Sequence, residues 1–269
     1  MSRLSTRLKK IKNSEGKTLV AYLVAGDPTL DTTVPLMHDM VAAGVDVFEV
    51  GMPFSDPEAE GPIIQQAHER ALKHKISLPD ILEMVSEFRE HDETTPVILM
   101  GYLNPIEKMG YETFAEASAR AGVDGTIIVN LPPEESVDLR GRLAHHDIEM
   151  VYLLAPTTTD ERAKIICEAS RGFVYYVSLK GTTGAANLDA DDVAEKLGRF
   201  SRFSELPILV GFGIKDGASA KAVAELSDGA VIGSAIVKIM GENRDDPDQL
   251  RESVKALLLE LRSALDMRV

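Results

Sequence analysis

Eight short apolar runs, each followed by a segment of helical periodicity, predict an α/β fold: a single-domain (β/α)8 TIM barrel. Two further observations favour a closed ring over an open, doubly wound sheet. The 269 residues match the roughly 250 that eight such units need. No hinge-like linker or low-complexity tract divides them. One domain is therefore expected over residues 1–269.

The elements follow in order. Residues 1–16 are basic and read as a short amphipathic helix; no apolar core follows them, so they do not read as a secretory signal. Residues 18–25 (T-L-V-A-Y-L-V-A) form a buried strand closed by Gly26-Asp27-Pro28. Residues 31–43 carry Leu36, Met37, Met40 and Val41 at helical spacing, and Gly44 stops that helix. The second strand is 47–50. Pro62 suits the first turn of the next helix, which carries Ile63, Ile64, Ala67, Ala71 and Leu72. A further helix is expected over 78–88, a strand over 96–100, and an exit loop over 101–105 (G-Y-L-N-P). Beyond it, strands are expected at 125–129, 150–154, 173–177, 207–210 and 229–232. Helices are expected at 111–121, 134–143, 160–169, 191–200, 218–226 and 247–265. The tract 178–187 (S-L-K-G-T-T-G-A-A-N) is poor in apolar anchors, and four of its residues are Gly or Ala. A mobile lid is expected over 178–191.

Composition excludes several functions. A net charge of -14 without a basic, aromatic stripe argues against nucleic acid. No apolar run reaches 18 residues, so no membrane span is expected. Cys167 is the only cysteine, which precludes an internal disulfide and fits a reducing cytoplasm. The six histidines lack metal-ligand spacing; His145 and His146 read as surface, and His68, on a helix, needs no function. With no metal and no dinucleotide fingerprint, any reaction is expected to run on side chains alone.

A TIM barrel places its chemistry on the loops that leave the C-terminal ends of the strands. The strongest signal there is V-D-V-F-E-V-G-M-P-F-S-D-P-E-A-E-G-P-I-I-Q, from Val45. Glu49 interrupts an apolar strand, and a buried carboxylate is costly unless paired or used. Flanked by Phe48 and Val50, it should hold its proton more tightly. Glu60, on the following loop, is expected to stay ionised more readily. Glu58 reads as loop solvation, and Asp56 as either solvation or a partner contact. Glycines Gly211, Gly213, Gly233 and Gly184, with Ser234, leave the late strands and could cradle a phosphate through backbone N–H groups; tight turns are the alternative. Tyr22 and Met100 read as walls of an apolar pocket. Tyr102, Tyr175 and Tyr176 are each, taken alone, packing aromatics.

The same residues resemble a known family. F-E-V-G-M-P-F-S-D-P-E-A-E-G-P-I-I-Q, P-V-I-L-M-G-Y-L-N-P at Pro96 and A-G-V-D-G at Ala121 are similar to signatures of the tryptophan synthase alpha subunit. So are L-P-P-E-E-S at Leu131, Y-Y-V-S-L-K-G-T-T-G-A at Tyr175, V-G-F-G-I at Val210 and I-G-S-A-I-V-K at Ile232. The resemblance runs over about residues 18–240. It implies a TIM barrel that cleaves indole-3-glycerol phosphate to indole and glyceraldehyde 3-phosphate. No cofactor is implied in this subunit, and a beta subunit carrying pyridoxal phosphate is implied as partner in an alpha2beta2 complex. It also implies roles: Glu49 shuttles protons, Glu60 accepts from the indole N–H, and Tyr175 is an active-site tyrosine. Tyr22, Met100 and Tyr102 would line the indole pocket. Gly184, Gly211, Gly213, Gly233 and Ser234 would hold the phosphate, and Thr183 would help close the lid. Pro53, Asp56 and Glu58 would face the beta subunit.

Three residues depart from the family pattern. Glu60 replaces the usual aspartate, and its extra methylene moves the carboxylate by on the order of 1 Å. Glu58 replaces an apolar residue, and Asn130 an aspartate. Two other readings stay open: a weakened subunit acting mainly as the allosteric partner of a beta subunit, and a different phosphate-binding barrel such as a sugar-phosphate isomerase. The stretch 49–65 argues against the latter.

Overall fold

The computed structural model describes residues 2–177, 190–211 and 213–267. Parallel strands form one sheet in the order β5-β4-β3-β2-β1-β9-β8-β7-β6. They are β1 (Thr18–Val24), β2 (Val47–Gly51), β3 (Val97–Gly101), β4 (Gly125–Ile128), β5 (Glu149–Met150), β6 (Leu153–Leu154), β7 (Val174–Val177), β8 (Ile208–Gly211) and β9 (Gly229–Ile232). The two ends of that order are pieces of one extended segment. Val151 N–H donates to the Thr126 carbonyl at 3.0 Å, and Tyr175 N–H donates to the Tyr152 carbonyl at 3.1 Å. The ring therefore closes through residues 151–152, and among the described residues the nine strands make eight staves, one for each apolar run in the sequence.

Alternate residues point inward. Val20, Val47, Ile98, Ile127, Val151 and Leu209 fill the barrel's middle. Leu4 and Leu8 of the N-terminal helix α1 (Arg3–Asn13) join that interior cluster and plug the end away from the strand exits. Three aspartates sit just before strands at this plugged end. Each accepts a backbone N–H from the preceding stave: Asp46 from Leu19 at 2.9 Å, Asp124 from Val97 at 2.8 Å and Asp228 from Ile208 at 2.8 Å. Arg7 and Arg262 also pair with Asp46, and Arg3 and Arg89 with Asp124, so α1 is tied across the base.

The outer helices follow the sequence periodicity closely. A 3-10 turn (Leu30–Thr32) leads into α2 (Thr33–Ala42); α3 spans Pro62–Leu72, with proline in its first turn, and α4 Leu78–Arg89. Two expectations need correction. The expected exit loop at 101–105 is largely helix: α5 runs Leu103–Met109. Pro105 lies in its first turn, where a missing N–H costs nothing, and the Asn130 side-chain oxygen accepts the Leu103 N–H at 2.9 Å. The helix expected from 134 begins later. Residues 132–136 form a turn closed by Ser136 N–H to the Pro132 carbonyl, and α7 is Val137–Ala144. The remaining helices are α6 (Tyr111–Ala121), α8 (Asp160–Ala169), α9 (Ala190–Phe200), α10 (Gly217–Leu226), α11 (Ser234–Glu242) and α12 (Pro247–Asp266). The lid expected over 178–191 lies outside the described residues except for its last two, which begin α9.

A buried ion pair clamps one helix to the rim. Arg70 of α3 donates from both its Nε and Nη2 to Asp27, at 2.7 and 2.9 Å. The Asp27 side chain is fully buried. This pair fixes α3 against the exit of β1.

Candidate active site

Glu49 sits in the register of β2 opposite Tyr22 on β1 and Ile98 on β3. Its neighbours in sequence, Phe48 and Val50, face the outer helical layer, so pleat alternation turns Glu49 into the barrel. It is 2% exposed, and its Oε1 has no hydrogen-bond partner. Burial, and then the nearby Glu60 charge, push its pKa up to about 8. Near neutral pH it is mainly a protonated acid within reach of its own pKa, as proton transfer in both directions demands.

Glu60 lies deeper than its place on a loop suggests. It is buried, not solvated, and burial raises its pKa while the Tyr102 hydroxyl opposes that by donating to Oε2. Tyr102 leaves the end of β3. Its oxygen also accepts the Ala59 N–H at 2.8 Å, and its ring stacks on Phe54 with centroids 4.8 Å apart. The Gln65 side chain ties the same loop by donating to the Glu60 carbonyl at 2.9 Å. Asp56 and Glu58 point outward and are exposed; Pro53 is half-buried.

Tyr22 and Tyr175 are buried, and burial raises the pKa of each. Next in effect come the charge of Glu60 on Tyr22 and that of Glu49 on Tyr175. The two carboxyls and the tyrosines Tyr22, Tyr102 and Tyr175 thus form one electrostatic cluster at the mouth. Glycine makes room for it. A Cβ on Gly51 would strike the Tyr22 hydroxyl, and one on Gly211 would strike that of Tyr175. Gly233 lies against the other side of the Tyr22 ring, its own Cβ position 3.5 Å from Tyr22 Cβ. Met100, half-buried on β3, packs against the barrel interior beside them.

Gly233 precedes α11, whose first residue, Ser234, is exposed at the exit of β9. The first-turn N–H groups of such a helix are free for an anion. Gly213, after β8, is exposed with φ 26°, a conformation that favours glycine. Thr183 and Gly184 lie outside the described residues. Tyr176, the neighbour of Tyr175, faces outward into the helical layer against Phe200, as a packing aromatic should.

His68 is the residue that sequence reasoning missed. It is 1% exposed, its Nδ1 accepts the Phe54 N–H at 3.0 Å, and its Nε2 lies 3.3 Å from the Tyr22 hydroxyl. Burial pushes its pKa down to about 4, so the ring is neutral. The available signal was its place on the apolar face of α3, with Ile64, Ala67 and Ala71. Among the described residues, no group of three His, Cys, Asp or Glu side chains could hold a metal ion.

Comparisons with known proteins bear on this constellation. A family model described as tryptophan synthase alpha chain matches residues 8–266. The chain is 55% identical to a tryptophan synthase alpha chain of Thioalkalivibrio sulfidiphilus, covering 99% of this chain and 100% of that one. It is 52% identical to one from Marinobacter nauticus over 99% of this chain and 98% of the other. Among solved structures, tryptophan synthase subunit alpha from Legionella pneumophila superposes with a TM-score of 0.93 at 44% identity, covering 99% of both chains. A tryptophan synthase structure from M. tuberculosis superposes with a TM-score of 0.87 at 32% identity, over 99% of this chain and 100% of that one.

Proposed function

The chain belongs to the tryptophan synthase alpha chain family, and from that premise we infer how its own residues carry out the lyase half-reaction on indole-3-glycerol phosphate. Family members cleave this substrate to indole and glyceraldehyde 3-phosphate and work with a beta subunit in an alpha2beta2 complex. The alpha subunit carries no cofactor; pyridoxal phosphate belongs to the beta subunit.

Cleavage needs a proton on indole C3, loss of a proton from the hydroxyl on the carbon attached to C3, and compensation of positive charge at the indole nitrogen. Once C3 is protonated, the C–C bond pair returns to the indole ring and the hydroxyl-bearing carbon becomes the aldehyde. Glu49 serves as the proton carrier. The observation that supports this most directly is its buried, unpartnered Oε1 inside the mouth. Glu60, held by Tyr102, accepts from the indole N–H as charge develops there. Tyr22, Met100 and Tyr102 wall the indole, and Tyr175 sits beside the reacting carbon. Gly211, Gly213, Gly233 and Ser234, with Gly184, grip the phosphate, and Thr183 closes the lid over it. Pro53, Asp56 and Glu58 meet the beta subunit. Full family membership over nearly the whole chain supports the lyase over the weakened, purely allosteric subunit. The buried Cys167, together with the absence of any described helix long and apolar enough to cross a membrane, is consistent with a cytoplasmic enzyme.

The test is release of indole from indole-3-glycerol phosphate by the purified chain, alone and with a beta subunit. Glu49→Gln abolishes it. Turnover unchanged in that variant removes Glu49 from the mechanism.

A further inference from the structure

We propose that His68, which touches no reacting atom, is a positioning residue that sets Glu60 and Tyr22 relative to each other across the pocket; this rests on the role assigned to Glu60 in the lyase reaction. The tautomer fixes the direction of both its hydrogen bonds. His68 Nδ1 accepts the Phe54 N–H at 3.0 Å, so in the neutral ring the proton is on Nε2. Nε2 lies 3.3 Å from the Tyr22 oxygen, which must then be the acceptor. The phenol's own hydrogen is left to point into the pocket, where Glu49 and Glu60 lie.

The other arm runs through Phe54. Its amide is held by His68 while its ring stacks on Tyr102 at 4.8 Å, and Tyr102 donates to Glu60. A continuous chain of contacts thus joins Tyr22, His68, Phe54, Tyr102 and Glu60. His68 itself stands on rigid ground: the Arg70–Asp27 pair clamps α3 two residues further on. With both ring nitrogens engaged and the side chain buried, His68 is poorly explained as filler; an apolar residue there would leave a backbone donor and a buried phenol without their partner.

The experiment compares His68→Leu, His68→Asn and His68→Gln in the full chain assayed with its beta subunit. Hydrogen exchange at the Phe54 amide is followed in parallel. An asparagine oxygen can stand where Nδ1 stands; a glutamine amide reaches instead toward the Nε2 position. In His68→Leu, kcat falls about tenfold, KM changes less than about threefold, and Phe54 exchange speeds up about tenfold. His68→Asn restores Phe54 protection and recovers kcat only in part, because the Tyr22 arm stays cut; His68→Gln leaves Phe54 exchange fast and kcat low. Tyr22→Phe, which cuts only the second arm, keeps Phe54 protected. Wild-type kcat and protection in His68→Leu overturn the proposal, and so does equal behaviour of the Asn and Gln variants. If His68→Leu fails to fold, the Asn–Gln contrast decides. If the wild type releases no indole, the role assigned to Glu60 fails, while Phe54 exchange across the variants still decides whether His68 sets the loop.

Discussion

Glu49 opposes its own surroundings: a folded barrel that buries an ionisable group beside another carboxyl is less stable for having it. Its pKa rises from 4.5 when unfolded to about 8 when folded. Between those values the native state binds more protons than the unfolded one, so this group's contribution grows more unfavourable as pH rises and levels off above 8. Glu49→Gln therefore gains stability over wild type, by about 1 kcal/mol for each pH unit climbed between 5 and 8. Urea unfolding of both proteins at pH 5, 7 and 8.5 checks this; a difference that does not grow with pH contradicts it. Glu60 is bound by a different constraint. Its reach is matched to the Tyr102 hydroxyl, so Glu60→Asp, although a return to the usual family residue, withdraws the carboxylate from its donor here. A fall in kcat/KM of about tenfold is expected in steady-state assays; an unchanged kcat/KM contradicts it.

Elements are more legible in the sequence than their meeting points. The eight staves stand out as apolar runs because strands buried on both faces need no polar alternation. Most helices stand out through period and glycine stops; Gly122, for example, ends α6 with φ 85°. The short α5 does not, since Asn104 and Pro105 are loop residues by composition, and the cap on its first N–H comes from Asn130, distant in sequence. The burial of Glu60 and the contacts of His68 escape sequence reading for the same reason. The loop's acidic sequence implies solvent, and burial comes from Tyr102, 42 positions away. The aspartates at the base carry the clearest element-level prediction. Asp124→Ala removes the acceptor shared by Arg3, Arg89 and the Val97 amide. Because these cations are partly withdrawn from water, the loss is about 3–5 kcal/mol in denaturant unfolding, with α1 the first segment to become protease-sensitive.

At the scale of the whole molecule, chemistry and cohesion occupy opposite ends of one ring. The mouth holds the carboxyls, the tyrosines and the outward loop bearing Asp56 and Glu58; the base holds α1 and its ion pairs. The outward loop is continuous with Glu60, so a partner seated on it acts on the site through a handful of residues. Asp56→Ala is expected to weaken binding of the beta subunit about tenfold, read by titration calorimetry; unchanged affinity places the contact elsewhere. The three aspartates that each grasp the preceding stave have one more consequence. Alignment between neighbouring strands is settled at the sealed end, before the chain reaches any residue that handles substrate. The rim can therefore drift, or be redrawn by an engineer seeking a bulkier aromatic guest, while the weave beneath it keeps its count.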